Sequence, residues 1–291
     1  MTSSIVRKIA FYYSMGPGYC WWRLHTPFAS DRLRMRRYAK NFGGRGLEIG
    51  GPSATFATDG LFPVYSTAAT IDNVTYSEST HWEGEVRGGH TFRFHVAKDP
   101  GNQYVMEAGA VDALLPATYD FIISSHMLEH AANPIGVLRA WQRVLREEGY
   151  LLLILPHRDG SFDHRRPVTN LVHLLEDAKR AVSEDDQTHL GEILALHDLR
   201  RDPSQPSQAA FERWIRQNGV NRGAHHHVFD TRLAVQMLEA VGLQLIDVEP
   251  TMPHHIVLLA KRIGGGLVPD NAPFLERSAP AYLNSPFKSD Q

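Results

Sequence analysis

The chain has 291 residues, 43% of them hydrophobic and 21% charged, with a formal net charge of −2. These values are typical of a soluble globular protein, whose core can be substantial without disulfides. Its single cysteine, Cys20, excludes an intrachain disulfide, and no apolar run approaches the roughly 20 residues that cross a bilayer. The N-terminus also lacks the pattern of a signal peptide, so we expect a cytoplasmic protein.

Basic residues are concentrated near the N-terminus. Residues 1–46 contain nine lysines and arginines but only one acidic residue, Asp31. We define residues 1–42 as a basic, aromatic-rich N-terminal helical extension, with a short helix expected over 31–40 and capped by Ser30 or Asp31. The favoured interpretation is a solvated lid whose aromatic side chains pack on the main domain. The alternative is peripheral contact with an anionic membrane or carrier, while nucleic acid is not an expected partner.

Strands and helices alternate through residues 43–156. Apolar segments at 47–49, 64–71, 104–106, 119–125 and 151–155 predict five strands, and the last is apolar throughout, as a buried parallel strand should be. A helix between the last two is predicted to have Asn133 as its cap, Pro134 in its first turn and Gly149 just beyond its end. Two closing strands are expected at 244–248 and 256–261. This alternation predicts an α/β fold with a Rossmann-like, doubly wound, mostly parallel seven-stranded sheet.

A polar segment rich in histidine interrupts the alternation after the fifth strand. Residues 157–230 are expected to form a helical substrate or lid insert, with helices near 168–182 and 186–196. An amphipathic helix at 231–241, ending at Gly242, then returns the chain to the sheet. We therefore expect one main domain over 43–262 that includes the insert. A Gly/Pro-rich tail over 263–291 is expected to lie on the surface or remain loose.

Acidic and small residues mark the expected ligand edge of the sheet, because ligands of such folds bind at the carboxyl ends of the strands. An acidic residue ending the second strand can accept hydrogen bonds from both hydroxyls of a ribose. The turn after the first strand lacks G-x-G-x-x-G, and the chain has no G-x-x-x-x-G-K-[ST]. A nucleoside cofactor is therefore expected in place of a dinucleotide or a P-loop nucleotide. The residues at this edge are Glu48, Gly50, Gly51, Asp72, Glu107, Ser124, Ser125 and His126.

The ordered set of segments resembles a class I S-adenosylmethionine-dependent methyltransferase of the type 11 kind. The resemblance rests on Leu47-Glu48-Ile49-Gly50-Gly51, Asp72, the run from Tyr119 to His130, Asn133-Pro134, Arg143-Val144-Leu145 and Gly149-Tyr150-Leu151. It implies an enzyme whose cofactor is S-adenosylmethionine. By this resemblance Glu48, Gly50 and Gly51 would line the methionine part, Asp72 would hold the ribose, Glu107 and Ala108 would lie near the adenine, and Ser125 and His126 beside the sulfonium. Further expected cofactor-binding residues are Pro52, Asn73 and Ser124.

Histidines of the insert are candidates for acceptor chemistry. A sugar hydroxyl is a very weak acid, so methyl transfer to its oxygen benefits from a base such as histidine, whose ordinary pKa of about 6.5 lies near neutrality. We expect His157 or His164 to be this base, with Asp163 as base or as orienting carboxylate. The predicted substrate-binding residues are Arg158, Arg165, His189, His197, His225, His226 and His227.

The same histidines leave two other interpretations open. His189 and Glu192, three residues apart, could bind a divalent ion together with His197-Asp198 and the run from His225 to His227. No recognised spacing such as H-E-x-x-H is present, so a metal is possible but not favoured. A hydrogen-bonded network that folds the insert is the favoured alternative. Glu129 and His130 are expected to have a structural role at the start of the following helix.

The acceptor class is the least defined part of the prediction. The strings 162–167, 196–198 and 225–229 resemble methyltransferases encoded with bacterial surface-polysaccharide machinery, which implies O-methylation of a sugar or polysaccharide hydroxyl. Trp214, Phe211 and Phe229 could supply aromatic faces for a saccharide. The alternatives are a small aromatic or lipid acceptor, and a non-catalytic subunit that uses the cofactor fold for binding. The absence of an Asn/Asp-Pro-Pro-aromatic sequence after the fourth strand disfavours methylation of a base amine.

Overall fold

The computed structural model describes residues 14–17, 19, 21–22, 24–26, 33–80, 82–114 and 116–291. Ser30, Asp31 and Cys20 lie outside the described residues. Where a helix is predicted over 31–40, the structure has a 3₁₀ helix, Arg34–Asn41, on which Met35 and Ala39 are buried. Among the described residues, no helix is both long and apolar enough to span a bilayer.

An eight-stranded, mostly parallel sheet forms the centre of the protein. Its strands in spatial order are β5 (Gly89–Phe92), β6 (Gly101–Val105), β2 (Thr70–Thr75), β1 (Arg45–Ile49), β7 (Tyr119–Ser125), β8 (Leu145–Pro156), β10 (His255–Lys261) and β9 (Gln244–Thr251). The five neighbouring strands in the middle of this order are parallel to one another; they are β6, β2, β1, β7 and β8. The three outer strands, β5, β10 and β9, pair antiparallel with their neighbours. The short strands β3 (Ser79–Thr80) and β4 (Gly84–Glu85) form a separate ladder. The predicted Rossmann-like class is confirmed, with β5 as an additional edge strand.

Helices cover both faces of this sheet. Their bounds are α1 (Val64–Thr67), α2 (Pro134–Val144), α3 (Leu171–Arg180), α4 (Leu190–Leu196), α5 (Gln208–Ile215), α6 (Asn218–Asn221), α7 (Thr231–Ala240), α8 (Ala272–Leu275) and α9 (Pro280–Leu283). One face buries α2 and α7 against the sheet around Trp141 and Leu238. The other buries aromatic side chains such as Phe42 and Phe62. The insert has a small core of its own around Phe211 and Ile215.

Two element boundaries differ from those predicted. Residues 64–67 form the helical turn α1 after Pro63, and β2 begins only at Thr70. Asp72 therefore lies in the middle of β2 instead of at its end. Helix α2 has the predicted Asn133 cap and Pro134 start, but it ends at Val144, and Gly149 lies within β8. The strand follows at once because Leu145 already adopts an extended backbone.

The C-terminal segment packs against the body of the protein. Tyr282 and Phe287 are buried, and the Asp290 carboxylate accepts hydrogen bonds from the Thr231 backbone N–H and hydroxyl at the start of α7. The predicted tail thus lies over the surface as an ordered strap. Its position explains the environment of His157, described below.

Candidate active site

A cavity of about 880 Å³ opens at the carboxyl ends of β1, β2, β6 and β7. The insert closes it from the opposite side through residues of α4, α5 and the loops between them. The predicted cofactor residues that line the cavity are Gly50, Pro52, Glu107, Ala108, Ser125 and His126. Thr75 and Tyr76, at the end of β2, complete this part of the wall.

The turn after β1 brings backbone close to the cavity. Gly50 has a φ of +78°, a left-handed conformation that glycine adopts without steric cost. A Cβ atom at this position would lie 3.1 Å from Cγ of Met127, which also lines the cavity. The Gly50 N–H donates to the Val74 carbonyl at 2.9 Å, so the turn is attached to β2.

Glu48 and Asn73 hold this turn in place through hydrogen bonds to its backbone. The buried Glu48 carboxylate accepts hydrogen bonds from the Tyr65 hydroxyl at 2.8 Å and from the Ser53 N–H at 2.9 Å. Burial raises the pKa of Glu48 to about 8. Asn73 holds both the N–H and the carbonyl of Gly51 at 2.9 Å. Glu48, Gly51, Asn73 and Ser124 are not among the described residues that line the cavity, and the contacts of Glu48 and Asn73 hold the turn in place.

Asp72, the predicted ribose ligand, is not among the described residues that line the cavity. The residue is 2% exposed, and its carboxylate accepts hydrogen bonds from Arg45 at 2.7 Å, the Tyr119 hydroxyl at 3.0 Å and the Asn102 N–H at 2.8 Å. It precedes the end of β2 by three residues. Glu83 and Glu107 are the carboxylates that line this part of the cavity.

His157, one of the two predicted bases, is not among the described residues that line the cavity either. Its ring is fully buried and stacks on Phe287 with centroids 3.9 Å apart. Its Nε2 lies 3.2 Å from Asp290, and its Nδ1 accepts from the Asp159 N–H at 3.1 Å. Both ring nitrogens therefore have partners beneath the C-terminal segment, away from the cavity.

The other predicted base, His164, lies outside the described cavity wall as well. Its Nε2 pairs with Asp198 at 3.0 Å, and Asp198 also binds Arg165 and Arg200. Burial lowers the pKa of His164, although Asp198 opposes the shift. This network ties the insert together, as the alternative interpretation of the histidines expected.

The structure instead joins Asp163 to His225 in the cavity wall. Their side chains are 62 residues apart in sequence, and Nδ1 of His225 lies 2.5 Å from Oδ2 of Asp163. The buried Arg166 guanidinium binds Oδ1 of Asp163 at 2.9 Å and the His225 carbonyl at 2.8 Å. Burial alone would raise the pKa of Asp163, but His225 and Arg166 hold it well below its ordinary range. Burial alone would lower the pKa of His225, but the Asp163 carboxylate raises it above 6.5.

Glu129 and His130 line the cavity beside this pair, a position that their expected structural role did not include. Oε1 of Glu129 lies 3.9 Å from Nε2 of His225, and the buried Oε2 has no hydrogen-bond partner among the described residues. Burial raises the pKa of Glu129 to about 7. Their position in the sequence was the signal that could have indicated this, because both residues lie within five positions of the carboxyl end of β7.

The remaining predicted substrate residues separate into two groups. His197 lines the cavity and pairs with Asp202 at 3.1 Å. Arg158, Arg165, His189, His226 and His227 are not among the described residues of the cavity wall. The predicted metal set does not assemble as a whole, because Glu192 binds Arg166 at 2.6 Å and His197 binds Asp202. Two of its members, His189 and His227, do lie together. Of the aromatic candidates, Phe211 and Trp214 line the cavity, whereas Phe229 belongs to the main core.

Comparisons with known proteins give one matching family and several similar solved structures. A family model described as "Methyltransferase domain" matches residues 23–248. No curated protein sequence matches the chain. A similar solved structure is a SAM dependent methyltransferase from Aquifex aeolicus, at 13% identity and a TM-score of 0.39, covering 79% of this chain and 90% of that chain.

Two further structures are similar at comparable distance. The 1,6-didemethyltoxoflavin-N1-methyltransferase of Burkholderia thailandensis has 12% identity and a TM-score of 0.40, covering 86% of this chain and 79% of that chain. The CMeT domain of the citrinin polyketide synthase has 15% identity and a TM-score of 0.42, covering 76% of this chain and 47% of that chain. Likenesses this distant carry no argument about substrate.

Proposed function

The chain belongs to the methyltransferase-domain family, and from this premise we propose that it transfers a methyl group to a hydroxyl oxygen of a sugar or polysaccharide. It is an S-adenosylmethionine-dependent enzyme. The acceptor, the methylated atom and the base are proposals. The observation that carries them is the Asp163–His225 pair, which lies in the wall of the same cavity as the Gly50 turn.

The residues of the cavity suit S-adenosylmethionine. The absence of a side chain at Gly50 leaves room for a ligand against the backbone, and Thr75, Tyr76 and Glu107 offer polar groups beside it. A volume of about 880 Å³ is at the upper end of the roughly 300–1,000 Å³ range of small-molecule sites, which leaves space for an acceptor next to the cofactor. When bound, the cofactor supplies an electrophilic methyl group on a sulfonium sulfur.

His225 is the proposed general base. With its Nδ1–H donated to Asp163, Nε2 carries a free lone pair that can accept the hydroxyl proton as the acceptor oxygen becomes nucleophilic. Asp163 orients the ring and stabilises the imidazolium that forms, and Arg166 keeps Asp163 ionised. Glu129, whose Oε2 is unpartnered, would bind the acceptor beside this nitrogen.

Two classes of acceptor fit the wall provided by the insert. Polar side chains such as His197, Asp202 and Arg201 offer the hydrogen bonds that a saccharide needs. The rings of Phe162, Phe211 and Trp214 also line the cavity, and this observation favours a phenolic hydroxyl on a flat aromatic molecule as the second candidate. We place the saccharide first because its hydroxyl, which is far less acidic than a phenol, has the greater need of a base.

We also propose that the enzyme works in the cytoplasm, and that its basic residues 1–46 contact an anionic surface or carrier that presents the acceptor. The proposed contact with an anionic surface or carrier rests on charge alone, since residues 1–46 contain nine basic residues and one acidic residue. Binding to vesicles with and without anionic lipid tests it. Equal binding to both, or binding to neither, contradicts membrane contact.

A methyl-transfer screen with labelled S-adenosylmethionine, over saccharides and phenols, tests the proposed function. We expect His225→Ala to lower kcat by about 10²–10⁴-fold with the affinity for S-adenosylhomocysteine retained, and Asp163→Asn to lower it by less. His164→Ala is a matched control, because it breaks another histidine–aspartate pair outside the cavity wall. Full activity in both His225→Ala and Asp163→Asn would remove the base assignment, and transfer to phenols alone would select the second candidate.

A further inference from the structure

A separate group of histidines lies inside the insert. His173 is on α3, His189 immediately precedes α4, and His227 lies in the segment before α7. One ring nitrogen of each lies within 4.8 Å of those of the other two. Asp177, one turn after His173 on α3, adds a buried carboxylate. None of these four side chains is among the described residues that line the cavity.

The spacing of these atoms matches that of metal ligands. The Nε2 atoms of His173 and His189 are 3.2 Å apart. Oδ2 of Asp177 lies 3.2 Å from Nε2 of His173. Two nitrogens bound tetrahedrally at about 2.0–2.1 Å from a zinc ion are about 3.3–3.4 Å apart. Small side-chain rotations would therefore bring the set to bonding distance of one ion.

His227 supplies an independent observation, because one of its buried ring nitrogens is unpartnered. Its side chain is 1% exposed, and its Nε2 lies 3.3 Å from the Ala132 carbonyl. If Nε2–H donates to that carbonyl, Nδ1 keeps a free lone pair, and no described residue provides Nδ1 with a hydrogen bond. A metal-bound histidine commonly donates its other ring N–H to a backbone carbonyl in this way.

We propose that His173, Asp177, His189 and His227 bind one Zn²⁺ ion in a structural site. Three imidazole nitrogens and one carboxylate oxygen form a donor set that zinc accepts in tetrahedral geometry. Since the protein fills all four positions, the ion has no open position for substrate. Its role is to join α3, the start of α4 and the segment before α7, and His227 follows the cavity residue His225 by two positions.

Metal analysis of the full chain tests this site independently of any methyl transfer. The protein is stripped with a chelator, dialysed, and titrated with ZnCl₂ while bound zinc and Tm are measured. We expect one zinc per chain, and a rise in Tm of about 5–10 °C at a free zinc concentration a hundredfold above Kd. His173→Ala and His189→Ala should each weaken zinc binding at least tenfold.

His90→Ala is the control, because His90 is exposed on the edge strand β5 and should bind zinc like the wild type. His189→Gln keeps the test valid if an alanine variant fails to fold, since His189 is only partly buried at the start of a helix. A stripped protein that takes up no zinc overturns the proposal. So does zinc uptake that is unchanged in His173→Ala and His189→Ala, which would place the ion among other histidines.

Discussion

Glu48→Gln tests how the glycine turn is supported. The glutamine keeps the shape of the protonated carboxyl group and its bonds to Tyr65 and Ser53, but it cannot ionise. In the folded protein, burial raises the pKa of Glu48 from 4.5 to about 8. Because the folded-state pKa is the higher one, the folded state binds this proton more tightly than the unfolded chain does.

The sign and size of the effect follow from this difference. The stabilisation by the Glu48 proton is fully present below pH 4.5, and it is lost as the pH rises towards and through about 8. At about 1.36 kcal/mol per pKa unit, the full loss is about 5 kcal/mol. Wild type and Glu48→Gln should therefore be similarly stable near pH 4.5, and the variant should be the more stable by up to about 5 kcal/mol at pH 9.

Urea denaturation from pH 4.5 to pH 9 measures this difference. Other buried groups such as Glu129 and Glu184 also titrate, but they are common to both proteins and cancel in the comparison. Glu176→Gln is the matched control, because Glu176 is exposed on α3 and its replacement should leave the pH profile unchanged. Parallel profiles for wild type and Glu48→Gln would refute the reasoning, since they would mean that Glu48 is already ionised in the folded protein near neutrality.

Two further substitutions test contacts that only the structure revealed. Asp290→Ala should lower the free energy of unfolding by about 2–4 kcal/mol, because it leaves Nε2 of His157 and the Thr231 hydroxyl unpartnered. Urea denaturation beside the exposed-site control Lys288→Ala measures this loss, and equal losses in the two variants would contradict it. Asp72→Asn should lower Tm, because Arg45 loses its ion pair, while the Kd for S-adenosylhomocysteine changes less than tenfold. A large loss of affinity with Tm unchanged would instead restore Asp72 as a ribose ligand.

Local signals in the sequence were sufficient for most of the sheet. Strands β1, β7 and β8 were predictable because their apolar runs are buried on both faces, and Asn133-Pro134 is a strong helix-start signal. Residues 64–71 were predicted as a strand because β-branched side chains favour strands. The structure has a helical turn there, which follows Pro63 and buries Val64 and Tyr65. This one boundary error placed Asp72 at the ligand edge of the sheet.

The proposed base was harder to predict because its contacts are distant in sequence. His157 and His164 were chosen because they follow a strand end and flank an acidic residue, which are local properties. The partner of Asp163 is His225, 62 residues away, and only the folding of the insert brings them together. The same is true of His157 and Asp290, since nothing near His157 indicates that the C-terminal segment would cover it.

The most direct test of the central claim is calorimetric titration of the full chain with S-adenosylhomocysteine. The cavity at the Gly50 turn predicts saturable binding at one site per chain. It also predicts at least a tenfold weaker affinity in Gly50→Val, because a side chain at a φ of +78° is strained and its Cβ would lie 3.1 Å from Met127. No binding by the intact protein, or the same affinity in Gly50→Val, would contradict the assignment of this cavity to the cofactor.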